Sequence, residues 1–237
     1  LEFRRVLFRS LVALVSVNGG VGRSTLVTAL SSGLQRLGES VVALDLDPQN
    51  ALRQHFGVDP ELLGVGRASL LNTRWETLLQ AGFAGCQVIP FGNTGIQQKD
   101  NLQGWLTREP KWLAQHLSTL GLSERQIMLI DTPAGDNVYL HQALSVADFV
   151  LVIVQPNAAC LGTLDQLDAV LAGYLERERP PQRLYVINQL DERSAFSLDM
   201  VDAFKLRLGD RPLEVVHREP SISEALAFAT EDRKSVV

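Results

Sequence analysis

Short apolar segments alternate along the chain with longer segments in which apolar residues recur every three or four positions. The first pattern predicts buried β-strands and the second predicts amphipathic helices. Strands are predicted at residues 11–17, 41–46, 87–90, 127–130, 149–154, 184–187 and 213–216. Helices are predicted at residues 25–37, 70–80, 105–120, 138–146, 161–175, 198–208 and 222–228, with a loop at 93–104.

Because the predicted strands are continuously apolar and are separated by helices, the chain is expected to form a doubly wound α/β fold. Such a fold has a mostly parallel sheet with helices on both faces. Ligands then bind beyond the carboxyl ends of the strands. Polar residues follow several predicted strands directly, at Asn18–Thr25, Asp45, Asp47, Asp131, Asn157 and Asn188.

A glycine-rich segment connects the first predicted strand to the first helix. Its glycines let the backbone turn tightly so that N–H groups converge, and the helix that follows adds the positive end of its dipole. The pattern predicts a phosphate-binding loop, with the Ser24 hydroxyl placed to bind Mg²⁺. A glycine-rich turn without a ligand is the alternative. The segment reads Asn18, Gly19, Gly20, Val21, Gly22, Arg23, Ser24, Thr25.

This loop resembles the deviant Walker A motif, K-G-G-x-G-K-[ST]-T, of the MinD/ParA ATPases. Asn18 and Arg23 stand where that family has its two lysines. The apolar run into Asp131-Thr132-Pro133 resembles the family's Walker B and switch II segment. The segment Asp45-Leu46-Asp47-Pro48-Gln49-Asn50 resembles its switch I, with one residue fewer before the Asn.

The resemblance implies that ATP and Mg²⁺ are the ligands and that the protein dimerises around the nucleotide. It places Ser24, Asp131 and Asp45 around the metal ion, assigns Asp47 to orient the attacking water, and assigns Asn188 to contact adenine. Other roles stay open for these residues. Asp131 could belong to an ordinary strand-ending turn, Asp47 could cap a helix, and Asn188 could form an Asx turn.

Softer features resemble the cellulose-biosynthesis branch of this family, BcsQ, also called YhjQ. They include Leu70-Leu71-Asn72 with Trp75, Pro90-Phe91-Gly92, and the loss of both loop lysines. This resemblance implies a cytoplasmic homodimer that acts with the inner-membrane cellulose synthase and its regulatory subunits. A ParA- or MinD-type positioning ATPase and a scaffold that binds little or no nucleotide are the alternatives.

The two lysine replacements predict a particular kinetic behaviour. Asn18 is too short and uncharged to reach a second protomer's phosphates, as the family's first lysine does. Arg23 retains a positive charge, but as a planar fork rather than a compact ammonium. A missing charge clamp on the transferred phosphoryl group lowers rates by ~10³ or more, by analogy with arginine fingers. ATP binding with slow or absent hydrolysis is therefore expected.

Composition excludes several other classes of protein. The formal net charge of −5 gives no overall basic surface for nucleic acid. The sequence contains no apolar run of the ~18 residues needed for a transmembrane helix. Its two cysteines, Cys86 and Cys160, lack metal-ligand spacing and lie among apolar residues, so they are expected to be buried thiols in a reducing compartment.

The two ends of the chain differ from the rest. Residues 1–10 and 232–237 can each be encoded by a common sequencing-library adaptor. We therefore expect one nucleotide-binding domain at residues 11–231, truncated at its C-terminus and flanked by two non-native tails. A native basic arm or a signal peptide is the alternative for the first tail. The family's closing helix would then be missing, and an exposed apolar patch would make the chain poorly soluble.

Overall fold

Eight strands form one sheet in the computed structural model, which describes residues 8–121, 123 and 125–219. Every predicted strand is present. The strands are β1 (Phe8–Val15), β2 (Ser40–Asp45), β3 (Gln80–Ala81), β4 (Gln87–Ile89), β5 (Gln126–Asp131), β6 (Phe149–Val154), β7 (Gln182–Leu190) and β8 (Leu213–His217).

The spatial order of the strands is β3-β4-β2-β5-β1-β6-β7-β8. All neighbours pair in parallel except β3 and β4, which are antiparallel. The first strand therefore lies near the centre, between β5 and β6. Chain connections diverge from this point, and such a switch point is where parallel sheets bind ligands. The predicted mostly parallel α/β fold is confirmed.

Nine α-helices connect the strands in the described residues. They are α1 (Arg23–Arg36), α2 (Leu52–His55), α3 (Val65–Leu70), α4 (Ile96–Leu106), α5 (Trp112–Thr119), α6 (Val138–Val146), α7 (Ala158–Gly162), α8 (Leu164–Leu175) and α9 (Ala195–Leu208). The chain crosses from β1 to β2 in one direction along the sheet and from β5 to β6 in the other. Right-handed crossovers then place α1 and α6 on opposite faces.

The predicted helix over residues 70–80 was wrong. Helix α3 instead ends at Leu70, because Asn72 adopts a left-handed φ of 53° and the N–H of Thr73 turns back to the carbonyl of Ala68. A short 3₁₀ turn follows, and the indole of Trp75 is fully buried there. Trp75 packs edge-on against Trp112, with ring centroids 5.2 Å apart.

The predicted loop at 93–104 was also wrong, since α4 occupies most of it. This helix has few apolar residues, and its first residue, Ile96, is 83% exposed. The predicted helix at 105–120 is consequently two elements, because Trp105 belongs to α4 and α5 begins only at Trp112. The predicted helix at 161–175 is likewise divided at Thr163 between α7 and α8.

The core lies between the sheet and its helices. Central strand residues such as Ala13, Leu14 and Val15 are fully buried. Cys86 and Cys160 are almost fully buried, as predicted. No helix in the described part of the chain is long and apolar enough to cross a membrane. Strand β1 begins at Phe8. The predicted helix at 222–228 and the predicted tail at 232–237 lie outside the described residues, as do residues 1–7.

Candidate functional site

The glycine-rich loop lies where predicted, between the carboxyl end of β1 and the first residue of α1. Gly20 and Gly22 adopt left-handed φ values of 72° and 88°, a region that favours glycine. Gly22 is the N-cap residue of α1, so the helix begins directly at Arg23. The sequence therefore builds a tight turn that presents a helix N-terminus at the edge of the sheet.

The backbone amides of this loop have no acceptors among the described residues. Within the described part of the chain, none of the N–H groups of residues 19–25 donates a hydrogen bond to another protein group. The first N–H groups of a helix always lack an intrahelical partner, and here the preceding loop adds more. Unpaired amides at a helix N-terminus form an anion-binding site, and phosphate satisfies them.

Neighbouring strands hold the loop in place through its carbonyl groups. Asn188, which is almost fully buried near the end of β7, donates from Nδ2 to the carbonyl of Val21 at 2.8 Å. Gln155 donates to the carbonyl of Gly20 at 3.2 Å and to Gln189 Oε1 at 2.8 Å. These bonds leave the loop amides free. They also give Asn188 a positioning role that the sequence did not suggest, while its predicted contact with adenine stays a prediction.

Ser24 and Asp131 are in direct contact. The Ser24 hydroxyl donates to Asp131 Oδ2 at 2.5 Å, although 107 residues separate the two along the chain. The side chain of Asp131 is fully buried at the end of β5, and its Oδ1 has no hydrogen-bond partner among the described residues. Two of the three side chains predicted to surround Mg²⁺, Ser24 and Asp131, are thus brought together, and Asp131 Oδ1 has no hydrogen-bond partner in the described part of the chain.

Arg23 lies between the carboxylates of the site. Its Nε is 3.9 Å from Asp131 Oδ1 and its Nη2 is 3.8 Å from Asp47 Oδ2. Nη1 donates to the Ser16 hydroxyl, which in turn donates to the carbonyl of Asn18 at 2.7 Å. The guanidinium is mostly buried, so its charge acts in a low-dielectric environment and offsets that of both carboxylates.

The two aspartates after β2 have different surroundings. Asp45 is fully buried, and its carboxylate accepts the N–H of Asp47 at 2.9 Å and that of Leu52 at 3.1 Å. Asp45 therefore satisfies the first N–H of α2, which is the capping role that the sequence offered for Asp47. Among the described donors, Asp47 accepts only the N–H of Gln49, at 2.9 Å, and it remains partly exposed.

Burial changes the proton affinities of these groups. It raises the pKa of Asp131 to about 7, against the opposing effects of the Ser24 hydrogen bond and the Arg23 charge. Burial and the nearby Asp131 charge raise the pKa of Asp45 well above its usual value. Asp45 and Asp131 are paired residues on adjacent strands, so two negative charges there would repel each other.

Asn18 makes contacts within its own chain. Its Oδ1 accepts a hydrogen bond from Thr163 at 2.8 Å, at the junction of α7 and α8. Thr25 lies half-buried in the first turn of α1. Among the described residues, no three His, Cys, Asp or Glu side chains cluster closely enough to hold a metal ion by themselves.

Sequence reasoning missed several residues that shape the site. Ser16 anchors Arg23, and the N–H of Gly135 donates to the carbonyl of Ser16 at 3.0 Å, which ties the segment after Asp131 to the loop. The Thr132 hydroxyl bonds the carbonyl of Leu14 at 2.7 Å. These contacts join distant segments, so the local sequence does not predict them. The exception is the glycine at position 135, a residue type that favours the left-handed φ of 78° found there.

The family model and two similar proteins indicate one family. Residues 9–231 match the sequence model of the family described as cellulose biosynthesis protein BcsQ. The chain is 37% identical over 153 residues to the BcsQ of Escherichia coli (strain K12), covering 64% of this chain and 61% of that protein. It is 30% identical over 221 residues to the BcsQ of Salmonella typhi, covering 92% of this chain and 84% of that protein.

The fold resembles a solved structure of the septum site-determining protein MinD from Pyrococcus horikoshii in complex with Mg-ADP. The TM-score is 0.70 at 21% sequence identity, covering 92% of this chain and 85% of that chain. At this identity the likeness establishes the fold alone. The predicted P-loop architecture of the MinD/ParA type is thereby confirmed.

Proposed function

The chain belongs to the BcsQ family of cellulose biosynthesis proteins, and from that premise we propose that it binds Mg-ATP and supports bacterial cellulose synthesis and secretion. The observation that carries the proposal is the row of unpaired amides at residues 19–25, directly beside the Ser24–Asp131 contact. A triphosphate with one Mg²⁺ would satisfy both features together. The bound form would be a nucleotide-sandwich homodimer in the cytoplasm, acting with the cellulose synthase complex and its regulatory subunits.

The residues present fit this ligand. Mg²⁺ prefers oxygen ligands and retains several waters, so one hydroxyl, one carboxylate and phosphate oxygens suffice for it. The Ser24 hydroxyl and the unpaired Asp131 Oδ1 supply the protein's share. Asp45 would act from the second layer, because both of its oxygens already accept backbone N–H groups. When bound, the metal ion would neutralise charge on the phosphates.

The protein's own contribution to hydrolysis is weak in this proposal. Asp47 is partly exposed at the loop after β2, and its Oδ2 is free of hydrogen bonds within the described residues, so it can orient a water molecule. Arg23 is held by Ser16 and by two carboxylates, and this restrains its guanidinium from following the transferred phosphoryl group. The nucleotide would therefore act mainly as a bound ligand that is turned over slowly.

Calorimetric titration of the full chain with ATP and Mg²⁺ tests the proposal. We expect saturable binding that is at least about tenfold weaker in Ser24→Ala, since that change removes a metal ligand. Ser118→Ala, an exposed serine on α5, is the matched control and should bind like the unmodified chain. A folded chain that binds no nucleotide would instead support the scaffold alternative.

A further inference from the structure

A second polar cavity lies beside the segment that resembles switch I. It has a volume of about 360 Å³ and is lined by residues 48–50, 53, 67, 92–95, 98 and 99. We call it the cationic cavity. It is separate from the glycine-rich loop, because none of residues 18–25 lines it.

The charged residues of the cationic cavity are all positive. Arg53, Arg67 and Lys99 line it, and its described lining contains no Asp or Glu. Neither arginine makes an ion pair with any described residue, whereas Lys99 donates to the carbonyl of Pro48 at 2.7 Å. These three cations line one concavity although the chain has a net charge of −5. Their like charges repel one another, and an anion bound among them would offset this repulsion.

Uncharged donors add to this set. Asn50, which lines the cavity, is 5% exposed, and its Nδ2 has no acceptor among the described residues. Its Oδ1 is already used by the N–H of Gly92 at 3.0 Å, so the amide orientation is fixed. Helix α4, of eleven residues, begins beside the cavity and brings its positive N-terminal end there. A buried donor without an acceptor is costly, and a ligand oxygen would remove that cost.

We propose that the cationic cavity is a binding site for a small molecule that carries phosphate groups. Two arginine forks and a lysine are the side chains that recognise phosphate best. The volume falls in the range of small-molecule sites, which is about 300–1,000 Å³. The cations line a concavity rather than a flat surface, and this favours a small ligand over a protein partner.

The site would also regulate the proposed nucleotide site, and this part rests on the proposed function. Lys99 bonds the carbonyl of Pro48, the residue that follows Asp47. A phosphate group bound among the three cations would compete with that carbonyl for the Lys99 ammonium. Release of Pro48 would shift Asp47, which we assign to orient the attacking water.

Titration of the Mg²⁺-free chain with inorganic pyrophosphate tests the proposal. The glycine-rich loop is first saturated with ADP so that it does not contribute to the signal. The variant Arg53→Gln/Arg67→Gln keeps the side-chain stems and removes both charges. We expect it to bind pyrophosphate at least about tenfold more weakly than the unmodified chain, because it loses charge-assisted hydrogen bonds. Arg108→Gln removes an exposed arginine outside the cavity and should change nothing.

Binding by the double variant within about twofold of the unmodified chain would overturn the proposal, and so would equal loss in Arg108→Gln. Thermal unfolding of each variant checks that it is folded. Pyrophosphate binding by Lys99→Gln is a separate test of the third cation in the same cavity. A chain that binds no ADP, yet binds pyrophosphate in a manner dependent on Arg53 and Arg67, would contradict the proposed function and leave the cavity assignment intact.

Discussion

Arg23 stands where the MinD/ParA loop motif that this segment resembles has a lysine, and several side chains surround it. The guanidinium bonds Ser16 and lies within 4 Å of both Asp47 and Asp131. A lysine ammonium is compact and is not held by a planar fork. It would be free to follow the transferred phosphoryl group.

Arg23→Lys should therefore raise the rate of ATP hydrolysis by about tenfold or more, since charge clamps on phosphoryl groups have effects of this size or larger. A phosphate-release assay with saturating Mg-ATP measures the change. Arg108→Lys, on the exposed surface, is the matched control. An unchanged rate in Arg23→Lys would indicate that Asn18, and not Arg23, limits the hydrolysis of ATP.

Asp131 makes stability depend on pH in the metal-free chain. Its pKa is raised to about 7 from an ordinary value of 3.8, so the folded state binds the proton more tightly than the unfolded state. The stabilisation from this proton is complete below about pH 4 and is lost as the pH rises to about 7. The Arg23 charge lowers the pKa of Asp131 and the Asp47 charge raises it, while the Asp131 charge raises the pKa of Asp45.

The unfolding free energy of the unmodified chain should fall relative to that of Asp131→Asn by up to about 4 kcal/mol between pH 4 and pH 7. Urea unfolding at several pH values, without Mg²⁺, measures this difference. Asn cannot titrate, so this substitution removes the pH dependence of the unfolding free energy that residue 131 causes. A difference between the two chains that stays constant with pH would contradict the assigned pKa.

Gly22 is constrained in two ways that Gly19 is not. Its φ is 88°, and an added Cβ would lie 2.5 Å from Asn188 Nδ2, which is already bonded to the loop. An added Cβ at Gly19 meets nothing within 4 Å. Gly22→Ala should lower the free energy of unfolding by about 1–3 kcal/mol, and Gly19→Ala by less than about 0.5 kcal/mol. A loss of less than about 0.5 kcal/mol for Gly22→Ala in chemical denaturation would show that the loop tolerates a side chain at position 22.

At the scale of elements, Asn137 joins a helix to the site. Its Oδ1 accepts the N–H of Leu140 at 3.0 Å, which caps α6, and its Nδ2 donates to the carbonyls of Gly135 and Ala134. The same residue therefore starts the helix and holds the segment after Asp131. The local sequence alone indicates only the start of the helix.

Asn137→Ala should cost about 1 kcal/mol of stability, the usual effect of removing an N-cap. Asn137→Asp is the informative companion, because it keeps the capping oxygen and loses the two donated bonds. We expect its stability to lie between those of the unmodified chain and the Ala variant. Urea unfolding with an unchanged m-value measures this, and an Ala variant as stable as the unmodified chain would exclude a capping role.

The strands were easier to predict than the helices for a physical reason. A central parallel strand is buried on both faces, so a continuous apolar run such as Phe149–Val154 is unambiguous. Helix α4 buries only Leu102 and Leu106 and exposes Ile96, so it has no apolar stripe to recognise. Helix α3 ends where Asn72 adopts a left-handed conformation, which no periodicity indicates.

At the scale of the whole molecule, the motifs located the candidate site but did not assign every role within it. The strand ends bring Ser24 against Asp131, as the sequence predicted. The partners of Asp45 and Asn188 could not be predicted, because they are backbone groups of other segments, Leu52 and Val21. Such contacts depend on how the loops pack after the sheet has formed.

The cationic cavity extends this picture to the neighbouring loops. It is built from Asn50, from the α3 residue Arg67, and from Lys99 on α4, the helix that was predicted as a loop. These residues are far apart along the chain, and only the fold brings them together. The proposed regulation would therefore be a property of the folded domain that no single segment carries.

Hydrogen exchange at residues 19–25, measured with and without Mg-ATP, tests whether the loop amides bind the phosphates. We expect exchange of these amides to slow markedly when Mg-ATP is added, since phosphate oxygens would become their acceptors. Exchange in the exposed segment around Arg108 should stay the same. Unchanged exchange at residues 19–25 under saturating Mg-ATP would contradict phosphate binding by these amides.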